Sequence, residues 1–149
     1  MTKRVIVGAV ILLALVGLGY CDVQPPDYHQ YRKTANQAAD AAYGAVRTTA
    51  LTVGALLQHR VTGPYASVVV DGALSSVASA TQQVTQLAPP DRATTAMRSE
   101  LTPLLADAAR ELGDVSTALD DGQPERIRSA ARGLGALGDR LDGYLEEHG

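Results

Sequence analysis

From Tyr28 onward, apolar side chains recur every three or four residues, and the recurrence stops three times, each time beside glycine or proline. That spacing puts successive side chains on one side of a helix, so each segment has one stripe to bury and must find other segments to bury it against. The first stripe runs Tyr28, Tyr31, Ala35, Ala38, Ala42, Val46, Ala50, Val53 and Leu57, and is expected to end near Arg60, ahead of the turn Thr62-Gly63-Pro64. The second, from Ala66 through Val70, Ala73, Val77, Thr81 and Val84 to Leu87, stops at Pro89-Pro90. The third opens at Pro90-Asp91 and carries Met97, Leu101, Leu104, Ala108, Leu112, Val115 and Leu119. Asp120-Asp121-Gly122-Gln123-Pro124 closes it and starts the fourth, with Ile127, Ala130, Leu134, Leu137, Leu141 and Tyr144. Proline inside the third stripe, at Pro103, costs a helix about 3 kcal/mol and one backbone bond. The stripe keeps its phase across it, which predicts a kink in preference to a break.

Four amphipathic helices joined by turns of a few residues pack most simply as an antiparallel up-down-up-down four-helix bundle spanning 28–149. The only competing strand signal is Val68-Val69-Val70, three β-branched residues inside a longer helical stripe. Alanines between the Leu and Val positions predict close helix approach. Gly133, Gly135, Gly138 and Gly143 weaken the fourth helix by up to about 1 kcal/mol each relative to alanine. Close contact with a neighbouring helix would account for them, as would a helix that frays.

Ahead of the bundle, Val5 to Cys21 carry no charge and follow Lys3 and Arg4. As a helix the run spans roughly 25 Å, within the range of a membrane-spanning segment. The basic flank predicts a cytoplasmic start, which places the C-terminal body outside the cell membrane. The same features describe a signal segment, and Leu18-Gly19-Tyr20-Cys21 resembles the processing site of bacterial lipoproteins, with Tyr20 where a small residue is usual. That resemblance implies lipidation at Cys21. The expectation is therefore a membrane anchor or signal segment over 1–21, a spacer over 22–27 containing Pro25-Pro26, and a single-pass protein; lipid-anchored and secreted forms are the alternatives.

Beyond Cys21 the chain holds 11 basic and 16 acidic residues, a formal charge of −5. An acidic body argues against nucleic acid, whose binding rests on neutralising phosphates, and against a basic patch on anionic lipid. With no Trp, no Phe and six Tyr, the whole chain has little material for base stacking or a large aromatic pocket. Cys21 is the only cysteine, so no disulfide forms within the chain.

The sequence presents no catalytic pattern. His29 and His59 stand at opposite ends of the first helix, about 45 Å apart at 1.5 Å per residue, and cannot share one site. There is no inward Glu-x-x-His motif, no C-x-x-C-H and no G-x-S-x-G elbow. All three histidines, His148 included, read as surface residues, and no cofactor or metal is expected. Asp107, Glu111 and Asp114 read with Arg110 as a solvated face. The one concentration of interest is at the turns far from the N-terminus, where His59, Arg60 and Tyr65 meet Asp120, Asp121 and Gln123; polar loops on a rigid scaffold are where binding tends to occur.

The expected function is therefore a non-enzymatic, membrane-tethered interaction or accessory protein with an envelope protein as partner. The alternative is a ligand-binding or sensory module, since such bundles resemble the extracytoplasmic sensing domains of chemoreceptor-like proteins. The resemblance is of fold alone, and the second span and cytoplasmic output domain of those receptors have no counterpart here. A cavity between the first and fourth helices lined by Tyr31 and Tyr144 would favour the ligand reading, and a filled core the interaction reading.

Overall fold

The computed structural model describes residues 27–149. The anchor or signal segment 1–21, with Cys21, and spacer residues 22–26 lie outside the described residues. Four helices follow: α1 (Tyr28–Leu57), α2 (Gly63–Gln86), α3 (Arg92–Asp121) and α4 (Pro124–His148). There is no strand among the described residues, and Val68 to Val70 are helical. None of these helices is long and apolar enough to cross a membrane.

Local chemistry sets the helix ends. Asp27, expected in the spacer, is the N-cap of α1: its Oδ1 accepts from the Gln30 amide at 2.7 Å. Asp91 and Thr94 form a reciprocal capping box at the start of α3. Pro64 and Pro124 occupy the first turns of α2 and α4, where a missing N–H costs nothing. At its other end α3 stops on Gly122 with φ 62°, a left-handed value suited to glycine. Helix α1 ends earlier than expected, at Leu57, because the chain turns left-handed at His59, φ 59°. The amide of His59 donates to the Leu56 carbonyl and that of Arg60 to the Ala55 carbonyl, both at 2.9 Å, the pair of bonds that closes a Schellman stop.

Cross-helix contacts fix the directions. Arg47 on α1 pairs with Asp139 on α4 at 3.0 Å, while Arg32, nearer the start of α1, reaches His148 at the far end of α4. Arg140 pairs with Asp107 and His148 with Glu100, so α3 and α4 also oppose each other. Ala41 and Thr48 of α1 border one groove with Ser76 and Val69 of α2. Neighbouring helices thus alternate in direction around a ring. Across it α1 touches α3, whereas α2 and α4 do not meet. Alanine explains the short diagonal: Ala35, Ala38, Ala39 and Ala42 are all buried on α1, and side chains that small let another helix come close.

The buried faces follow the stripes with small rotations. Thr49 is fully buried while Ala50 is only partly so, Ala80 is buried ahead of Thr81, and Tyr28 at the end of α1 is exposed. Helix α3 runs through Pro103 without a break. Pro103 lies on the exposed side, and Leu101, Leu104 and Leu105, all buried, hold the backbone on either side of it. The glycines of α4 divide. A Cβ at Gly133 would meet the Glu111 carboxylate and one at Gly138 the Arg47 side chain at 3.2 Å, whereas Gly135 and Gly143 face open space. Close approach accounts for the first pair and not for the second.

Candidate functional site

The α1–α2 and α3–α4 turns lie side by side at the end of the bundle opposite Asp27. Between them is a cleft of ≈ 350 Å³ lined by Leu56, Leu57, His59, Gly63, Leu119, Gly122, Pro124, Ile127 and Arg128. Each lining residue follows from a helix end already described. Leu56 and Leu57 belong to the last turn of α1, Leu119 to the last turn of α3, and Ile127 to the first turn of α4. Ile127 is buried, and Leu56, Leu57 and Leu119 are half-buried, the last two packed against the core. The two left-handed residues of these turns, His59 and Gly122, both border the cleft.

Of the six residues singled out from sequence, the structure brings His59 to the lining of this cleft. Arg60, Asp120, Asp121 and Gln123 are exposed on the turns around it, and Tyr65 is 56% exposed on the first turn of α2. Asp121 is engaged by Arg126, and Arg128 of the lining by Glu125. The rim therefore mixes both signs of charge, and the floor is aliphatic. Leu56, Leu57, Leu119, Ile127 and Arg128 were not anticipated as site residues; an aliphatic side chain one turn from a helix stop carries the same pattern as any core position, so the sequence holds no signal that separates them.

Tyr31 and Tyr144 do not line a shared cavity between α1 and α4. Tyr31 is 1% and Tyr144 5% exposed, both belong to the packed core, and neither hydroxyl has a hydrogen-bond partner. Burial pushes the Tyr144 hydroxyl well above the usual phenol range, with the charge of Glu100 and the proximity of Tyr31 adding to the effect. Burial likewise raises Tyr31, against a smaller opposing influence from Arg98. The opening that Tyr144 does border lies between α3 and α4, with Glu100, Leu104, Arg140, Gly143 and Glu147.

The histidines also differ from expectation. His29 and His59 are exposed, but the His148 side chain is only 17% exposed and its Nε2 lies 2.8 Å from Glu100 Oε2. Its backbone carbonyl accepts from Arg32 Nε at 3.0 Å and Asn36 Nδ2 at 2.8 Å, which ties the last turn of α4 to the first turns of α1. Among ion pairs on the α3 face, Asp107 accepts from both Arg110 and Arg140, and the Arg140 hydrogen bond above all holds its carboxyl below the usual carboxylate range.

The chain matches no family model, no curated protein and no solved structure.

Proposed function

We propose that the protein is a non-enzymatic, membrane-tethered helical bundle that presents the cleft between its α1–α2 and α3–α4 turns to an envelope protein. The observation that carries the reading is the position of that cleft. Helix α1 begins at Tyr28, directly after the apolar segment and its spacer, and its 30 residues extend about 45 Å at 1.5 Å per residue. An aliphatic opening at the far end is thus held away from the point of tethering. Its floor of Leu56, Leu57, Leu119 and Ile127 suits an apolar side chain of the partner, and the mixed charges of the rim suit a polar surround, the usual anatomy of an interaction surface. The filled core around Tyr31 and Tyr144 supports this reading over a buried ligand site.

In this reading residues 1–21 form a retained single span with the body outside the membrane. Acylation at Cys21 and release by cleavage are the competing fates of the segment. Cys21→Ser separates them: a retained span keeps the protein in the membrane fraction with its size unchanged, whereas a lipoprotein loses its fatty-acid label and its processing.

The partner is tested with photo-crosslinking residues placed at His59 or Tyr65 in intact cells, with Ala93, exposed at the opposite end of the bundle, as the control position. Capture of one protein from the turn positions, lost when Leu56→Asp puts a charge in the cleft, supports the proposal. Equal capture from Ala93, or capture unaffected by Leu56→Asp, overturns it. A second reading, a small-ligand module, is favoured by one observation: the cleft volume of ≈ 350 Å³ falls at the lower end of the ~300–1,000 Å³ usual for ligand pockets.

A further inference from the structure

At the other end of the bundle three side chains from two helices converge without a role in the cleft. Glu100 projects from α3, Glu147 and His148 from the last turn of α4, and one ligand atom from each lies within 4.8 Å of the other two. We infer that Glu100, Glu147 and His148 form a divalent transition-metal site, with Zn2+ as the ion the donor set suits.

The chemistry of the donors argues for this class of ion. One imidazole nitrogen with two carboxylates is a borderline set that Zn2+ accepts, whereas Ca2+ and Mg2+ favour oxygen alone. Two carboxylates also balance the charge of a divalent ion. Ligand atoms bonded at about 2.0–2.1 Å in a tetrahedron stand roughly 3.3 Å apart; His148 Nε2 and Glu100 Oε2 are already at 2.8 Å, and the Glu147 carboxylate closes the remaining gap by side-chain rotation. Three protein ligands leave a fourth position for water.

Two further features set the cluster apart from an ordinary surface pairing of histidine and glutamate. The backbone of His148 is clamped by Arg32 and Asn36, so the final turn of α4 is held in place to offer its side chains. Beside the cluster is Tyr144, whose ring packs 4.5 Å from that of His148. Tyr144 is 5% exposed, borders the same opening as Glu100 and Glu147, and its hydroxyl is buried without a partner. A neutral phenol there is a donor in search of an acceptor, and the oxygen of a metal-bound carboxylate or water supplies one, as outer-shell groups do around metal ligands. Two of the cations nearby are engaged elsewhere. Arg140, which borders the opening, is engaged by Asp107 at 2.7 Å, and Arg32 is turned to the carbonyls of His148 and Gly149.

The test uses the full chain, purified in mild detergent, stripped with chelator and titrated with Zn2+ alone near neutral pH, with bound metal counted after dialysis and unfolding followed by circular dichroism. One Zn2+ per chain and a raised Tm are expected. His148→Gln and Glu147→Gln should each weaken binding at least tenfold and abolish the rise in Tm, with metal-free unfolding close to that of the unaltered chain. Tyr144→Phe should weaken binding by about tenfold, the effect usual for an outer-shell partner, while His29→Gln and His59→Gln leave it unchanged. An absence of binding at millimolar Zn2+ overturns the inference, and so does binding that survives His148→Gln or follows His29 and His59.

Discussion

Replacing His59 by glycine should make the protein more stable. The residue closes the α1 stop with φ 59°, a conformation in which a side chain crowds the following carbonyl at a cost of about 1–2 kcal/mol for an ordinary residue. Histidine tolerates it better than most, which puts the relief near the lower end. Glycine offsets part of the gain because its unfolded chain has more freedom to lose, by roughly 0.5–1 kcal/mol. Both hydrogen bonds of the stop come from backbone amides, those of His59 and Arg60, and neither is lost with the imidazole. The net expectation is a stabilisation of up to about 0.5 kcal/mol, or a Tm higher by up to about 2 °C for a body of this size. Thermal and denaturant unfolding of His59→Gly and His59→Ala, side by side, measure it. Alanine keeps the left-handed cost and should show no gain. If glycine is no better than alanine, or both destabilise, the imidazole itself holds the turn and the backbone argument fails. Where His59→Gly raises stability yet weakens partner capture, the histidine is retained at the cleft for binding despite its backbone cost.

Thr49 is fully buried with a hydroxyl that has no partner, so Thr49→Val, of nearly the same shape, should stabilise by about 1 kcal/mol in denaturant unfolding; a loss would mean that the hydroxyl is satisfied. Gly135→Ala, into open space, should gain up to about 1 kcal/mol, and Gly138→Ala should gain less because its Cβ presses on Arg47 at 3.2–3.3 Å; equal Tm shifts would show that the contact is immaterial. Leu112→Ala, in a site with no exposure, should cost about 2–5 kcal/mol, whereas Arg110→Ala, on an exposed ion pair, should lie within about 1 kcal/mol of the unaltered chain. Asp107 has its folded pKa lowered from 3.8, so its contribution is present above that value and is lost as pH falls through and below it; Asp107→Asn should flatten the acid limb of the stability profile, and an unchanged limb would refute the assignment.

The order and length of the helices were legible because each depends on its own residues. Stripe spacing, Pro64 and Pro124 in first turns, and Asp91 ahead of Thr94 act over a few residues of chain. Helix α1 is expected to reach Arg60 but stops at Leu57 through a local left-handed step at His59, a conformation that sequence rules assign to glycine. Elsewhere the reading slipped where a neighbour decided. Thr49 reads as polar and Ala50 as apolar, yet the rotation of α1 against two flanking helices and α3 buries Thr49. Pro103 carries a local cost, which the buried leucines on both sides of it absorb.

The turn cluster was partly legible, since His59 and the Asp120 to Gln123 loop are polar residues on short connections, and antiparallel packing alone brings those connections together. Its aliphatic floor was not, because openness at a helix end is a property of what fails to cover it. Glu100 and His148 illustrate the limit most clearly. They are 48 positions apart and each, read alone, is an exposed charge or a surface histidine. The sequence by itself determined four amphipathic helices, their stops and the alternation that short turns impose, all consequences of local periodicity and backbone sterics. Only the tertiary structure decided which residue of α3 stands opposite the end of α4, because that register comes from side-chain packing along the whole length of both helices, and a shift of one turn, about 5.4 Å, would leave Glu100, Glu147 and His148 as three unrelated surface groups.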